Sequence, residues 1–381
     1  MFMLRNNFIV LSVKRFFLPF IFCCFTLALI IFSKDNLDAA KSGLALWANS
    51  VLPALLPFFI ATELLSHTGI IPFLGRALNG FMRPIFNVPG VGSFAFIMGI
   101  ISGYPVGAKI IARFRENNLC TKEEGERLLS FTNNSSPLFI VGTVGVALIG
   151  NTILGIILLV THILASITVG VIFRFWKSGT NITYSRAARG SGVFLSREEK
   201  TFTTPGRPTS TTGILRTQRD FENSQRVNFS NLGEVLASSI MTSINTIIMI
   251  GGFIMLFSII ISILHNSQLL NLISFGIYPI LHIFNVPADF ASSIITGIIE
   301  LTNGLKAVTI IPIKQLTTTL VICSFLLGFG GISVLLQVFS IISKTDISIK
   351  PYILGKFLHA CIAALYTFLF FILFPFFSLN I

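Results

Sequence analysis

Four short polar segments interrupt the long apolar runs of this sequence, and they hold the residues whose chemistry stands out. The segments are Ser102–Lys109, Thr132–Pro137, Glu300–Gly304 and Gly328–Gly331. A broken backbone at membrane depth is tolerated only inside protein or beside a watery cavity, because its N–H and C=O groups need partners. Helix N-termini at such breaks present N–H donors with a partial positive charge, which favours anions. The segments therefore predict a site for a small polar ligand.

Two charged residues are the strongest candidates for ligand contact. Lys109 would cost about 2.5–3.5 kcal/mol at the centre of a membrane helix, so it either contacts a ligand or an acid, or it snorkels to the interface. Glu300 ends a long apolar run in which Asp289 is the only other charged residue. It could bind a proton or Na⁺, pair with Lys109 or contact the ligand, and a water-exposed hairpin tip is the alternative.

The remaining candidates offer uncharged donors, acceptors or exposed backbone. For each of them the alternative is a structural role in helix capping or close helix packing. They are Gly103, Tyr104, Asn133, Asn134, Ser135, Thr302, Asn303, Gly330 and Gly331.

Signatures of enzymes and of metal sites are absent from the sequence. The glycines before Lys109 have the wrong spacing for a phosphate-binding loop, and no Ser or Thr follows that lysine. The five histidines are scattered without a zinc motif. His162 and His359 occupy similar places in the two halves of the chain, which favours packing over metal binding. We expect no enzyme activity and no cofactor, and leave coupling to H⁺ or Na⁺ open.

Composition indicates that these segments lie in an all-α, polytopic membrane protein. Of the 381 residues 53% are hydrophobic and 11% are charged, whereas soluble domains carry about 25% charged residues. Ser135–Phe173 contains no charged residue, and Val235–Ile299 contains only Asp289. Such runs exceed the roughly 20 apolar residues needed to cross a bilayer.

A duplicated sequence motif indicates two related units. The sequence Phe-Asn-Val-Pro at 86–89 recurs at 284–287, and Gly-Ile-Ile at 99–101 recurs at 297–299, both at an offset of 198 residues. A polar, glycine-containing segment follows each copy. Duplicated hydrophobic units that end in broken polar sequence are typical of the binding site of a membrane transporter.

Each unit is predicted to contain an interfacial helix, a re-entrant hairpin, a broken helix and a closing span, preceded by a longer span. In the first unit the longer span is Ser42–Leu65, which Pro53 and Pro57 should kink. The other elements there are Ile70–Phe86, Val91–Ile111, Lys122–Ile149 and Asn151–Trp176. In the second unit the elements are Leu232–Leu264, Leu269–Phe284, Ala288–Ile311, Leu316–Ile342 and Tyr352–Phe376. Thr121 and Glu124 should form a capping box.

The predicted domain organisation follows from these elements. Residues 1–40 form an N-terminal anchor helix, because basic residues precede an apolar run and no convincing cleavage site follows it. Residues 41–177 form the first gate-like repeat and residues 231–377 the second. Residues 178–230 form a basic, flexible cytoplasmic loop.

The distribution of basic residues favours opposite insertion of the two repeats. His67–Arg127 holds seven Lys and Arg, whereas the equivalent His265–Gln315 holds two. Ten basic residues against four acids in Arg174–Arg226 place that loop in the cytoplasm. The net charge of +12 therefore reflects membrane orientation and not a nucleic-acid partner.

The polar segments, read together, resemble the YlbJ family of sporulation integral membrane proteins. The resemblance rests on Ser102–Lys109, Leu128–Asn134, Glu300–Gly304 and Leu327–Val334, and it covers most of residues 40–377. This family is part of a group with nucleoside-recognition gate domains, similar to concentrative nucleoside transporters, which have two hairpins and two broken helices in inverted repeats. The long basic loop departs from the family pattern. Ser135-Ser136 also departs from it, because a glycine is expected in this pair.

The resemblance implies a multi-pass protein of the bacterial cell membrane or outer forespore membrane that moves dipicolinic acid during endospore formation. Helix N-termini, Lys109, Asn133 and Asn134 would suit the two carboxylates, and Tyr104 or Phe131 could stack on the ring. The expected partners are this small organic anion and the lipid bilayer, with a homo-oligomer left open. Transport of a nucleoside or nucleobase, and a non-transporting scaffold for spore assembly, are the alternatives.

Overall fold

The structure is a computed structural model that describes residues 2–68, 70–178, 229–311 and 316–374. All regular secondary structure in these ranges is helical. The predicted basic loop 178–230 lies almost entirely outside the described residues.

The N-terminal part of the chain bends sharply between its first two helices. It contains α1 (Phe2–Ile31), α2 (Ser33–Leu46), a π-helical turn (Trp47–Val51) and α3 (Leu52–Ser66). The segments on either side of Phe32 meet at 97°. The helix that contains Ser42, the predicted start of a span, begins earlier, at Ser33. The π-helical turn ends two residues before Pro53, which has no N–H to donate to the preceding turn.

The rest of the first half contains α4 (Ile70–Phe86), α5 (Gly92–Ile101), α6 (Val106–Glu116), α7 (Lys122–Thr132), a π-helix (Leu138–Ile149) and α8 (Thr152–Phe173). The second half contains α9 (Leu232–Asn266), α10 (Leu269–Ile283), α11 (Phe290–Ile299), α12 (Leu301–Ile310), α13 (Leu316–Phe329), α14 (Gly331–Ile342) and α15 (Lys350–Leu373). The two halves follow the same order of elements from α4 to α8 and from α10 to α15.

Side-chain caps set where two helices begin. Thr121 Oγ1 accepts from the Glu124 N–H at 3.2 Å, and the Glu124 carboxylate accepts from the Thr121 N–H at 2.9 Å. The predicted capping box of α7 is therefore confirmed. Asn151 caps α8 in a similar way, because its Oδ1 accepts from the N–H groups of Ile153 and Leu154.

The four breaks are shorter than the sequence predicts. Within the four predicted breaks, non-helical backbone is confined to residues 102–105, 133–136, 300 and 330. Lys109 therefore lies within α6, and Thr302 and Asn303 lie in the first turn of α12. The second hairpin needs a single extended residue, Glu300, because its side chain caps the helix that follows.

The helices pack so that the breaks face the middle of the molecule. α5 packs on α6 and α11 on α12, while α15 lies against α7, α8 and α13, and α9 packs on α2 and α3. Buried apolar side chains form two clusters, and Tyr104 contacts both of them. One cluster includes the stacked rings of Phe86 and Phe131, whose centroids are 4.8 Å apart.

Long apolar helices give the molecule the form of a membrane protein. Among the described residues, α8, α9, α15 and the pair α13–α14 taken as one segment are long and apolar enough to cross a bilayer, and the bent pair α1–α2 would make a fifth span. Many large hydrophobic side chains on these helices are exposed.

Each copy of the duplicated sequence contains an asparagine in the left-handed backbone conformation, with φ of 54° at Asn87 and 56° at Asn285. Their phenylalanines differ, since Phe86 is 1% exposed and Phe284 is 72% exposed.

Candidate functional site

A central cavity of about 50 Å³ brings the two hairpin tips and the two helix breaks together. Each half of the chain contributes polar groups to it, and the remaining wall is apolar. The lining residues are Gly103, Tyr104, Ser136 and Thr143 from the first half, Glu300, Thr302, Ser333 and Gln337 from the second, and Val51, Leu55, Phe139, Ile250, Ile254, Leu301 and Val334. Four of the eleven predicted site residues therefore line one cavity: Gly103, Tyr104, Glu300 and Thr302.

Four helix N-termini border this cavity. Tyr104 lies two residues before the start of α6 at Val106, and Ser136 lies two residues before the start of the π-helix at Leu138. Thr302 lies in the first turn of α12, and Ser333 lies in the first turn of α14. Helix N-termini carry a partial positive charge and N–H donors, so negative charge is favoured where they converge.

Glu300 already occupies one of these N-termini. Its Oε1 accepts from the Thr302 N–H at 3.1 Å, and its Oε2 accepts from the Asn303 N–H at 2.8 Å. The residue is 3% exposed. A buried carboxylate held by two backbone donors has a fixed position, so Glu300 can present an acceptor to the cavity without moving.

The tip of the first hairpin packs on the break that follows α7. Gly103 has φ of +80°, which glycine adopts without strain. A Cβ on Gly103 would lie 3.0 Å from the Cβ of Ser136. Ser102 and Thr62 share a hydrogen bond of 2.7 Å, which ties the same tip to α3.

Asn133, Asn134 and Ser135 hold the first break in place and do not line the cavity. Asn133 Nδ2 donates to the Tyr352 hydroxyl at 2.7 Å. Asn134 Nδ2 donates to the Phe131 carbonyl and to Ser166 Oγ. The Ser135 N–H donates to His162 Nε2 at 3.3 Å. These contacts fasten the break to α8 and α15, which matches the structural alternative for these residues.

Lys109 lies beside a second, smaller cavity of about 20 Å³. Its Nζ is 3.5 Å from a Glu63 carboxylate oxygen and 3.3 Å from Thr246 Oγ1. Arg113 Nη2 donates to the other Glu63 oxygen at 2.6 Å. Lys109 thus pairs with an acid on α3, away from the residues that line the central cavity.

The last three predicted residues lie at the edges of the second hairpin and the second break. Gly330 and Gly331 both have φ of +84°, which lets the chain turn between α13 and α14. A Cβ on Gly331 would lie 3.2 Å from the Leu301 N atom, so this break packs on the second hairpin tip. Asn303 Nδ2 donates to Ser258 Oγ on α9 at 3.1 Å.

Two charged residues near these sites were missed by sequence reasoning. Glu63 is the only charged residue in α3, and Lys356 is buried in the apolar helix α15. Lys356 lies one turn before His359, and a lysine followed by a histidine at that spacing in an apolar run was the available signal. The rings of His359 and His162 are 4.3 Å apart, and the described residues contain no cluster of potential metal ligands.

Comparison with known proteins gives a family for this arrangement. The family model for the gate domain described as nucleoside recognition matches residues 48–178 and 247–345. The sporulation integral membrane protein YlbJ of Bacillus subtilis (strain 168) is 38% identical over 348 residues, covering 91% of this chain and 80% of that protein. The chain belongs to the YlbJ family. All four breaks lie within the ranges that the gate model matches.

Solved structures of two CNTnw variants in an outward-facing state also match. Their TM-scores are 0.47 and 0.45 at 14% identity, and they cover 99% and 96% of this chain and 87% of each matched chain. As a YlbJ-family member with several apolar helices, the chain is a multi-pass integral membrane protein. The name of the Bacillus subtilis relative assigns that protein to sporulation.

Proposed function

We propose that this YlbJ-family protein transports a small organic anion, dipicolinate, across the outer forespore membrane during endospore formation. The observation that carries the proposal is the convergence of four helix N-termini on one cavity between both hairpins and both broken helices. The relative's name supports the sporulation role. The substrate follows from the resemblance noted in the sequence.

The chemistry of the cavity suits an aromatic dianion. Its apolar wall includes Phe139, Ile250 and Val334, which can cover the faces of a ring. Helix N-termini and the hydroxyl groups of Ser136 and Ser333 supply donors for carboxylates. Lys109, Asn133 and Asn134 would contribute by holding the surrounding elements, through the contacts described above.

We also infer that the two halves are inverted repeats with re-entrant hairpins. The shared order of elements, the left-handed Asn87 and Asn285, and the unequal basic charge around the two hairpins support this arrangement. In it the hairpin α5–α6 enters from the cytoplasmic side and the hairpin α11–α12 from the opposite side. Residues 41–177 and 231–377 would then be the two gate-like units.

Uptake into proteoliposomes tests the proposed function. Purified protein should take up labelled dipicolinate faster than protein-free vesicles do, and the assay is repeated with uridine under Na⁺ and proton gradients. Uptake of uridine alone would favour a nucleoside transporter, the candidate that the description of the gate family supports. Uptake of neither compound would leave a membrane scaffold and would overturn transport.

A pair of matched variants tests the site. Thr302→Val removes a hydroxyl from the cavity lining, and Thr309→Val makes the same change in the same helix, where Thr309 Oγ1 bonds only to carbonyls of its own helix. We expect Thr302→Val to reduce dipicolinate uptake about tenfold, the effect of losing roughly 1.4 kcal/mol. Thr309→Val should match the native protein. Equal uptake by both variants would contradict the assignment of this cavity.

A further inference from the structure

Lys356 is buried between the two helix breaks, close to a residue that lines the central cavity. It is 1% exposed, and its Nζ is 3.3 Å from the Asn133 carbonyl oxygen at the first break. At the second break, a Cβ on Gly330 would lie 3.7 Å from Lys356 Cε and 3.8 Å from Val334 Cγ1. Because Val334 lines the cavity, Gly330 lies within van der Waals range of both the lysine stem and a cavity-lining residue.

Two histidines set the position of the lysine amine. His359 Nε2 is 3.0 Å from the His162 carbonyl oxygen, so this nitrogen donates and leaves Nδ1 as an acceptor. Lys356 Nζ is 3.5 Å from that Nδ1. His162 is held in turn by the N–H of Ser135. A chain of contacts therefore runs from the amine to the first helix break.

Lys356 has no carboxylate partner within 4.0 Å among the described residues. A buried ammonium group needs a counter-charge, and leaving one unpaired is costly. A substrate carboxylate in the adjacent cavity would supply that charge. The attraction is mutual, so a proton on the amine would favour the anion and the anion would favour the proton.

We propose that Lys356 takes up one proton from solution together with a carboxylate of the transported anion, which couples transport to protons. The proton becomes the third hydrogen on Nζ and leaves when the anion leaves. This inference rests on the proposed function, because it needs an anionic substrate in the central cavity.

Other titratable groups face the same region and must be separated from Lys356 by experiment. They are His162 on α8, His359 and Tyr352 on α15, and Tyr104 and Glu300 at the hairpin tips. Glu300 shares the cavity, so the variant Glu300→Gln is measured beside the lysine variants. If Lys356 is the proton site, the Glu300→Gln variant still takes up about one proton for each anion that the variant binds.

Proton uptake on ligand binding is the direct test. Full-length protein in weakly buffered detergent at about pH 8 is titrated with dipicolinate, whose carboxyl groups are ionised there because carboxyls titrate near pH 4. A pH indicator reports the protons taken up, and equilibrium dialysis reports the anion bound. The native protein should take up about one proton per bound anion, since one amine changes state.

Two variants of Lys356 and one control variant of Lys306 show whether the proton binds at Lys356. Lys356→Met should take up no proton and should bind the anion more weakly. Lys356→Arg should bind the anion without proton uptake, because a guanidinium group is always protonated. Lys306→Met, at an exposed position of α12, should behave as the native protein does. Proton uptake that persists in Lys356→Met or Lys356→Arg would overturn the proposal.

The remaining outcomes separate this proposal from the proposed function. Dipicolinate binding by the native protein without proton uptake would overturn the proton site and leave the transport function standing. No dipicolinate binding at all would overturn both. In vesicles at zero membrane potential, a gradient of one pH unit should raise accumulation up to about tenfold in the native protein. The same gradient should have no effect on accumulation by Lys356→Arg.

Discussion

At the scale of residues, ionisable side chains inside this membrane protein are held by specific partners. Glu63 is paired with two cations, Glu300 with two backbone donors, and Lys356 with a carbonyl and an imidazole. Ionised side chains in an isolated membrane helix would be costly. Glu63 finds both of its partners on α6, and Lys356 contacts the break after α7 as well as its own helix, so these residues report how distant segments pack.

The Glu63 cluster gives a prediction about which charge matters most. Glu63→Gln leaves Lys109 and Arg113 facing each other without an anion, whereas Lys109→Met keeps the 2.6 Å contact between Glu63 and Arg113. We expect Glu63→Gln to destabilise the protein by about 2 kcal/mol and Lys109→Met by clearly less. Thermal denaturation in detergent measures the difference. An equal or smaller effect of Glu63→Gln would show that the carboxylate does not bind α6 to α3.

At the scale of elements, the helix breaks depend on backbone geometry more than on polar side chains. The second break consists of Gly330 between two helices, and the second hairpin turns at Glu300 alone. Short breaks leave few unpaired backbone groups, which limits the cost of placing them within a bilayer. They also bring the helix N-termini close to one another.

Two glycine variants test the second break. Gly331→Ala places a side chain at φ of +84° and 3.2 Å from the Leu301 N atom, so it should lower stability by about 1–2 kcal/mol and reduce transport. Gly252→Ala is the matched control, since nothing lies within 4 Å of a Cβ there and the residue is helical. Alanine should leave that site unchanged or stabilise it by up to about 1 kcal/mol. Comparable melting temperatures for the two variants would contradict the strain at the break.

At the scale of the whole molecule, the two halves are joined by contacts between residues far apart in sequence. Asn133 contacts Tyr352, and Thr168 contacts the Tyr366 hydroxyl at 2.9 Å. At the end of α6, Arg115 donates to both carboxylate oxygens of Asp346, at 2.7 and 3.0 Å. The last pair lies outside the apolar helices and can be titrated from solution.

The Arg115–Asp346 pair predicts a pH dependence of stability. Hydrogen bonds from Arg115 lower the pKa of the Asp346 carboxyl below its ordinary value of 3.8. A folded-state pKa below the unfolded value gives stability that is complete above the unfolded pKa and is lost as the pH falls through the folded pKa. Because the Asp346 side chain is 49% exposed, the contribution should be about 0.2–1 kcal/mol.

Comparison of the native protein with Asp346→Asn measures this contribution. The native protein should melt at a slightly higher temperature near pH 7. The difference should shrink below about pH 4, where the carboxyl becomes protonated. A difference that stays constant down to about pH 2.5 would exclude the ion pair as its source.

Much of the architecture could be predicted from local sequence. The capping box at Thr121, the end of α7 at Thr132 and the break before Gly331 are local signals, and the structure has them at or beside those positions. Lys109 could not be placed in the same way. Its partner Glu63 lies in another helix, and no local pattern links the two. Lys356 was missed because its neighbours Asn133 and Gly330 are distant in the chain.

The sequence by itself determined the family, the helical membrane character and the polar segments, because apolar length, capping and glycine placement act within a few residues. The tertiary structure decided which of those segments meet. Packing brings Tyr104, Ser136, Thr302 and Ser333 around the central cavity. It places Lys109 in an ion pair beside the second, smaller cavity. Only packing can decide this, since a contact between distant segments depends on how all the intervening helices are arranged.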